Sequence, residues 1–361
     1  MRKVSVDLGA NSYDISIGSD LAESIQAFIA EAGFSQKALV LSDSSVGKLY
    51  GKSVTDLLCR AGMKAELFCV DPGESAKSLQ VADRVYTRAI ELGLDRRSVI
   101  FALGGGVVGD LAGFIAATYM RGIAFVQLPT SLLAQVDSSV GGKVAVNHPL
   151  EKNLIGAFYQ PKAVFMDLDM LRSLPKREIY TGLAEIIKYG IIEDQEFFAY
   201  LEDHADEILR MDKDALAHIV ARSCEIKAEV VSQDEKEAGR RMILNFGHTL
   251  AHAIESETRY AKYNHGEAVA IGMIGAAKIS RELGLIGEEE VKRVKALIRK
   301  FHLPVRAAGC SLAGMFAAIF HDKKTVNGNI QWIVMDAVGS VQIEKNVPDA
   351  IVKHVIEEII I

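Results

Sequence analysis

The sequence has only four cysteines, Cys59, Cys69, Cys224 and Cys310, and no two of them share the spacing of a disulfide framework or a cysteine-ligated zinc site. Both are therefore excluded, and the four are expected to be small buried hydrophobes in a reducing compartment. Basic charge is not in excess either: the formal net charge is −6, with acids and bases interspersed. That argues against a nucleic-acid partner, which would need a basic face. It leaves room for an anionic small molecule, because a few cations focused in a cleft suffice. No apolar run approaches the roughly 20 residues of a membrane span. The start of the chain, Met1–Asp7, alternates like a strand and carries no signal-peptide apolar core. A cytoplasmic protein without membrane attachment is expected. Internal repeats and low-complexity stretches are absent.

At 361 residues the chain is long enough for two cores. Its first half alternates short β-branched runs with helix-period stretches. Val4–Asp7 and Tyr13–Ile17 read as a hairpin, and Lys37–Leu41, Lys64–Val70, Ser98–Leu103 and Ala124–Leu128 as strands. Between them Asp20–Ala32, Val46–Ala61 and Leu79–Leu92 carry helical periodicity, which implies a mostly parallel sheet with ligands at the strands' carboxyl ends. Beyond Pro175 the texture becomes long helices: Glu178–Ile192, Gln195–Leu209, Asp214–Ser232, Asn245–Glu257, Gly266–Leu283 and Glu288–Phe301. Ile330–Met335 and Ser340–Glu344 read as a terminal hairpin. The expectation is an α/β, Rossmann-like domain over 1–175 and a mainly helical domain over 176–361.

Ser98–Leu103 runs directly into Gly104-Gly105-Gly106-Val107-Val108-Gly109-Asp110 and then a helix from Leu111. Glycines at 104, 106 and 109 between a strand and a helix let backbone amides approach a pyrophosphate at the helix N-terminus. The wiring is not the usual one, since about a hundred residues precede the motif. The next strand ends in Pro129-Thr130-Ser131, with no acid for a ribose. Asp43 or Glu74 could supply that acid.

Arg241, Asn245, His248 and His252 stand at i, i+4, i+7 and i+11, so on one helix they would share a face, among apolar Met242, Ile243, Leu244 and Phe246. Four buried polar groups on one stripe need a common partner. His265 opens a later helix, and Glu185 lies one turn before Lys188 in Gly182-Leu183-Ala184-Glu185-Ile186-Ile187-Lys188. Two histidines and a glutamate form the three-ligand set of a catalytic zinc site, which keeps a position open for water or substrate. His248 with His265 is the preferred pair, with His252 as an outer partner or proton shuttle, although the spacing also admits His252 as a ligand.

Lys143, Lys152, Lys188, Lys227, Arg241 and the pair Lys323-Lys324 all sit in apolar or glycine-rich context. A single lysine of this kind is ordinarily a solvated charge, so the argument is collective. Oxidation of a neutral alcohol would need few cations, whereas a substrate bearing both phosphate and carboxylate would need several.

At this point the chain closely resembles the 3-dehydroquinate synthase family along essentially its whole length. The densest segments are Gly104–Asp110, Leu128–Lys143, Lys152–Phe158, Gly182–Lys188, and Asn245-Phe246-Gly247-His248 with His252. The resemblance implies zinc, with cobalt as a substitute, held by Glu185, His248 and His265. It implies NAD at Asp43, Gly73, Glu74, Lys77, Gly105, Gly106, Val107, Val108, Gly109, Asp110, Thr130 and Ser131, with Lys143 and Lys152 where cofactor and substrate meet. The substrate residues it implies are Asp137, Lys143, Asn153, Lys188, Lys227, Arg241, Asn245, His252 and Lys323. Arg121 corresponds to a residue that reaches the neighbouring subunit's site in a homodimer. The implied reaction converts 3-deoxy-D-arabino-heptulosonate 7-phosphate to 3-dehydroquinate and phosphate, by transient oxidation, elimination, reduction, ring opening and aldol closure.

Overall fold

The computed structural model describes residues 1–321 and 330–361. The chain divides into two compact units: Met1–Pro175 with Ser223–Lys236, and Lys176–Arg222 with Glu237–Ile361. A single cut at residue 175 does not describe this, because Ser223–Lys236 groups with the first unit. The long helix Lys213–Gln233 carries that segment, and chain order alone cannot show which neighbours its last turns join.

The first unit is built on a seven-stranded sheet. Its strands are β1 Arg2–Val6, β2 Tyr13–Gly18, β3 Lys37–Asp43, β4 Lys64–Val70, β5 Val99–Gly104, β6 Ala124–Pro129 and β9 Ala163–Asp167, in the order β1-β2-β9-β6-β5-β3-β4. Only β1 and β2 pair antiparallel; the other neighbours are parallel. Side-chain alternation sorts the two faces. In β5, Val99, Phe101 and Leu103 join one core with the helices Ala22–Ala32 and Lys52–Arg60, while Ile100 and Ala102 join the other with Leu79–Glu91 and Gly106–Thr118. β3 divides likewise, Ala38 and Val40 against Leu39 and Leu41. A strand covered on both faces must read as an unbroken apolar run, and VIFALG is buried throughout.

Three strands were not expected. The hairpin β7 Lys143–His148 and β8 Glu151–Phe158 forms a separate two-stranded sheet, and β9 closes the gap between β2 and β6. β8 is almost wholly exposed, so it lacks the apolar alternation that marks a strand.

Among its described residues the second unit is helical apart from the antiparallel hairpin β10 Trp332–Ala337 and β11 Ser340–Glu344. Its central helix is His265–Glu282, which packs against Lys176–Glu193, His248–Glu257, Glu288–Lys300 and Asp349–Ile359. A helix with neighbours on several sides must be apolar nearly all round, and Ala268–Ala277 is buried without interruption. Among the described residues no helix is long and apolar enough to cross a membrane. The cysteines are all free, but only Cys224 is buried; Cys59 is exposed, and Cys69 and Cys310 are half-buried. The expectation that all four were buried is corrected accordingly.

Candidate functional site

In the second unit Glu185, His248 and His265 come together, with one ligand atom from each lying within 4.8 Å of the others. Nε2 of His248 and Nε2 of His265 are each 3.6 Å from Glu185 Oε1. Close helix crossings make this possible. A Cβ on Gly266 would lie 2.1 Å from the Thr181 carbonyl oxygen, so only glycine lets the His265 helix press against the Glu185 helix. Gly247 takes a left-handed φ of 78° and touches Gly272 of the central helix, placing His248 at the first position of its own helix.

That turn corrects one expectation. Arg241, Asn245, His248 and His252 do not share one helix: Arg240–Asn245 is a 3-10 turn, Gly247 breaks the chain direction, and the α-helix begins at His248. The 3.6-residue period could not register a left-handed glycine. His252 still follows His248 by one turn, with ring centroids 5.8 Å apart, and is exposed. Its ring lies 6.5 Å from that of His265, outside the ligand set.

The donor set fits a divalent ion. Two imidazole nitrogens and one carboxylate are the ligands of an open catalytic zinc site. Each histidine also has its Nδ1 occupied elsewhere: His248 by the Phe246 carbonyl at 3.2 Å, His265 by Glu255 Oε1 at 3.1 Å. Both Nε2 atoms are thereby left for the centre, as in metal sites generally. Burial, and then the Lys188 ammonium, push the His248 imidazole down to about 3. For His265 burial acts the same way, but the neighbouring Glu185 and Glu255 carboxylates outweigh it and bring the ring up to about 10. Lys188, 2% exposed, is ion-paired with the fully buried Glu185. Arg241 is 1% exposed, and Asn245 Nδ2 donates to Glu237 Oε1 at 2.9 Å.

In the first unit the carboxyl ends of β3, β5 and β6 set Asp43, Gly104 and Pro129 along one edge, through the parallel register Ser42↔Leu103 and Gly104↔Pro129. The glycine turn leads from β5 into the helix Gly106–Thr118, whose N-terminal amides face that edge's loops. Thr130 N donates to the Gly104 carbonyl at 3.0 Å, and a Cβ on Gly105 would meet Ser131 Oγ at 3.3 Å, so Thr130-Ser131 lies against the turn. A buried strand feeding a glycine turn and a 13-residue helix suits a pyrophosphate. Asp43 spends its carboxylate in part on a cap, accepting from Ser45 N and Val46 N.

Lys77, 4% exposed, donates to both Asp110 Oδ2 and Asn153 Oδ1. Burial pushes Asp110 up to about 6 in spite of that ammonium. Glu74, following Gly73 with its φ of 96°, accepts from Asn147 Nδ2 at 2.7 Å. Lys227 Nζ reaches Asp137 Oδ1 and the Asp137 carbonyl, each at 2.6 Å. Lys143 and Lys152 are exposed on the β7–β8 hairpin. Arg121, in a left-handed conformation beside an equally left-handed Met120, is exposed. Lys323 and Lys324 lie outside the described residues.

Sequence reasoning overlooked Glu255, Glu237 and Asn147. Glu255 stands at i+3 from His252 and at i+7 from His248, so helical spacing could have found it. Glu237 and Asn147 touch their partners through loop and hairpin geometry, for which no spacing exists.

Sequence profiles of the N-terminal and C-terminal regions of 3-dehydroquinate synthase match residues 67–181 and 182–325. The 3-dehydroquinate synthase of Desulforamulus reducens is 47% identical over 99% of this chain and 100% of its own. A 2-deoxy-scyllo-inosose synthase, solved with carbaglucose-6-phosphate, NAD+ and Co2+, superposes with a TM-score of 0.90 at 28% identity, covering 99% of this chain and 100% of that one. The 2-epi-5-epi-valiolone synthase of Streptomyces hygroscopicus subsp. jinggangensis, with NAD+ and Zn2+ bound, superposes at 0.88 with 26% identity over 96% of each chain. Matches that span both units, together with identity of this order along the full length, place the chain in the 3-dehydroquinate synthase family.

Proposed function

We propose that this chain is an NAD- and divalent-metal-dependent lyase that converts 3-deoxy-D-arabino-heptulosonate 7-phosphate to 3-dehydroquinate and phosphate, as a step of aromatic amino-acid biosynthesis in the cytoplasm. The observation that carries it is the Glu185–His248–His265 cluster with buried Lys188 beside it, in a chain 47% identical to a named synthase. A divalent ion there would acidify a ring hydroxyl, and a dinucleotide at the glycine turn would accept and return a hydride.

The remaining roles belong to the chain's own residues. Glu185, His248 and His265 are the metal ligands. Asp43, Gly73, Glu74, Lys77, Gly105–Asp110, Thr130, Ser131 and Lys152 are proposed to hold NAD. Arg241 and Lys227 suit the substrate carboxylate, since a buried guanidinium binds carboxylate in bidentate fashion and an ammonium adds charge. Lys143, Asn245 and Lys323 are proposed to grip phosphate, and Asp137, Asn153 and Lys188 are proposed as further substrate contacts. His252 is proposed to relay the hydroxyl proton; in support, it is exposed and lies one helical turn from His248.

A homodimer is proposed as the working form. Support comes from exposed apolar side chains of the first unit: Leu154 is 70% and Phe158 44% exposed on β8, and Met120 beside Arg121 is 42% exposed.

The deciding assay supplies the heptulosonate phosphate and NAD to zinc-loaded protein. Phosphate release without net NADH is expected, whereas stoichiometric NADH would make the chain a dehydrogenase. The likeness to 2-deoxy-scyllo-inosose synthase favours one second reading, a cyclase for a hexose phosphate. Turnover of glucose 6-phosphate in preference to the heptulosonate phosphate would establish it.

A further inference from the structure

We infer that Glu255 is a positioning residue for the metal centre, holding His265 so that Nε2 is the nitrogen offered to the ion. The inference rests on the metal reading above and concerns a residue outside the ligand set.

Glu255 is 9% exposed and lies on the His248–Glu257 helix, three residues after His252 and seven after His248, so all three share a face. Its Oε1 is 3.1 Å from Nδ1 of His265, while Nε2 of the same ring is 3.6 Å from Glu185 Oε1. The two ring nitrogens thus point at two carboxylates with different tasks. Glu185 belongs to the cluster, and Glu255 fixes which nitrogen carries hydrogen and how the ring is turned. The two histidine ligands are anchored differently. His248 is held by the Phe246 carbonyl, a backbone group that no substitution removes. His265 is about a third exposed and opens its helix after an irregular segment, so it depends on a side chain from another helix for its orientation. A carboxylate behind a ligating imidazole fixes the tautomer, orients the ring and makes the nitrogen a better donor, and losing such a partner typically weakens metal binding about 10–100-fold.

The test is a zinc titration of metal-stripped full-length protein against a chromogenic chelator, for wild type, Glu255→Ala and Glu255→Gln, with the thermal midpoint of each metal-free form measured in parallel. Glu255→Ala is expected to bind zinc about 10–100-fold more weakly. Glu255→Gln keeps an acceptor oxygen and should recover most of the affinity at an unchanged midpoint. If Glu255→Ala does not fold, Glu255→Leu, which keeps bulk without an acceptor, must show the same loss. Undiminished affinity in the variants that lack an acceptor overturns the inference. So does a glutamine variant as weak as alanine, because orientation by hydrogen bonding would then not be the cause. Wild type that takes up no zinc at all would instead sink the metal reading, a result distinguishable from both.

Discussion

The two units build their proposed sites from different materials. In the first, the proposed dinucleotide turn is made of backbone: a buried strand, three glycines, and amides at the start of a helix, all contiguous between Val99 and Thr118. In the second, the metal cluster is made of side chains from three separate stretches, and it exists only because Gly266 and Gly247 let their helices come close. A contiguous backbone site tolerates change in its side chains and is broken locally. A convergent side-chain site can be broken far from any ligand, by whatever sets the helices apart.

The largest effect expected from that difference is at Gly266. A side chain there must displace the Thr181 carbonyl, which a Cβ would approach to 2.1 Å, so Gly266→Val should separate His265 from Glu185 with every ligand still present. Overpacking of this kind costs about 1–3 kcal/mol, and the loss of metal should be larger than any loss of fold. Zinc content by metal analysis is expected to fall to background while NAD binding by calorimetry is unchanged. A Gly266→Val protein that keeps full zinc would show that the crossing is not what assembles the cluster.

The same contrast governs what could be read from the residues. Gly104–Asp110 was legible because its parts are neighbours in the chain and each has a local signature. Glu185, His248 and His265 were legible as residue types, but the single stripe through Arg241 and His252 was not the true geometry, because the left-handed Gly247 resets the helix phase. Buried Lys77, which reaches Asp110 33 positions and Asn153 76 positions along the chain, left no trace that periodicity could detect. β8 escaped for the opposite reason: an exposed strand has no apolar face to alternate. Glu255 was hidden by its chemistry, since a glutamate on a helix face ordinarily reads as a solvated charge.

Lys77 sharpens the comparison from the side of the first unit. If the dinucleotide site is mainly backbone, removing this cation should weaken it without abolishing it. Lys77→Met is expected to lower NAD affinity about tenfold, the scale of one charge-assisted hydrogen bond, and to leave zinc content untouched. Calorimetric titration of NAD decides it. Unchanged affinity would confine Lys77 to tethering Asn153, and complete loss would mean that the site depends on this side chain after all.

The smallest effect concerns the partner of Lys77, and its sign follows from linkage. Burial raises the Asp110 carboxyl to about 6, above the ordinary aspartate value of 3.8, with the Lys77 ammonium opposing the rise. Between those two values the folded chain holds a proton that the unfolded chain has already released. The stability this group contributes is therefore fully present below about pH 4 and is lost as pH rises through about 6. Asp110→Asn has no such proton to lose. Denaturant unfolding of metal-free protein followed from pH 4 to pH 7 should show wild type losing ground steadily to the asparagine variant across that window. A difference that stays flat, or grows in favour of wild type, would mean that Lys77 holds Asp110 ionised throughout. The buried pair would then already carry the full charge separation that the raised value denies it. Because the shift arises within the first unit, the same titration on Gly266→Val should give the same slope, even though that substitution disturbs a helix crossing in the second unit.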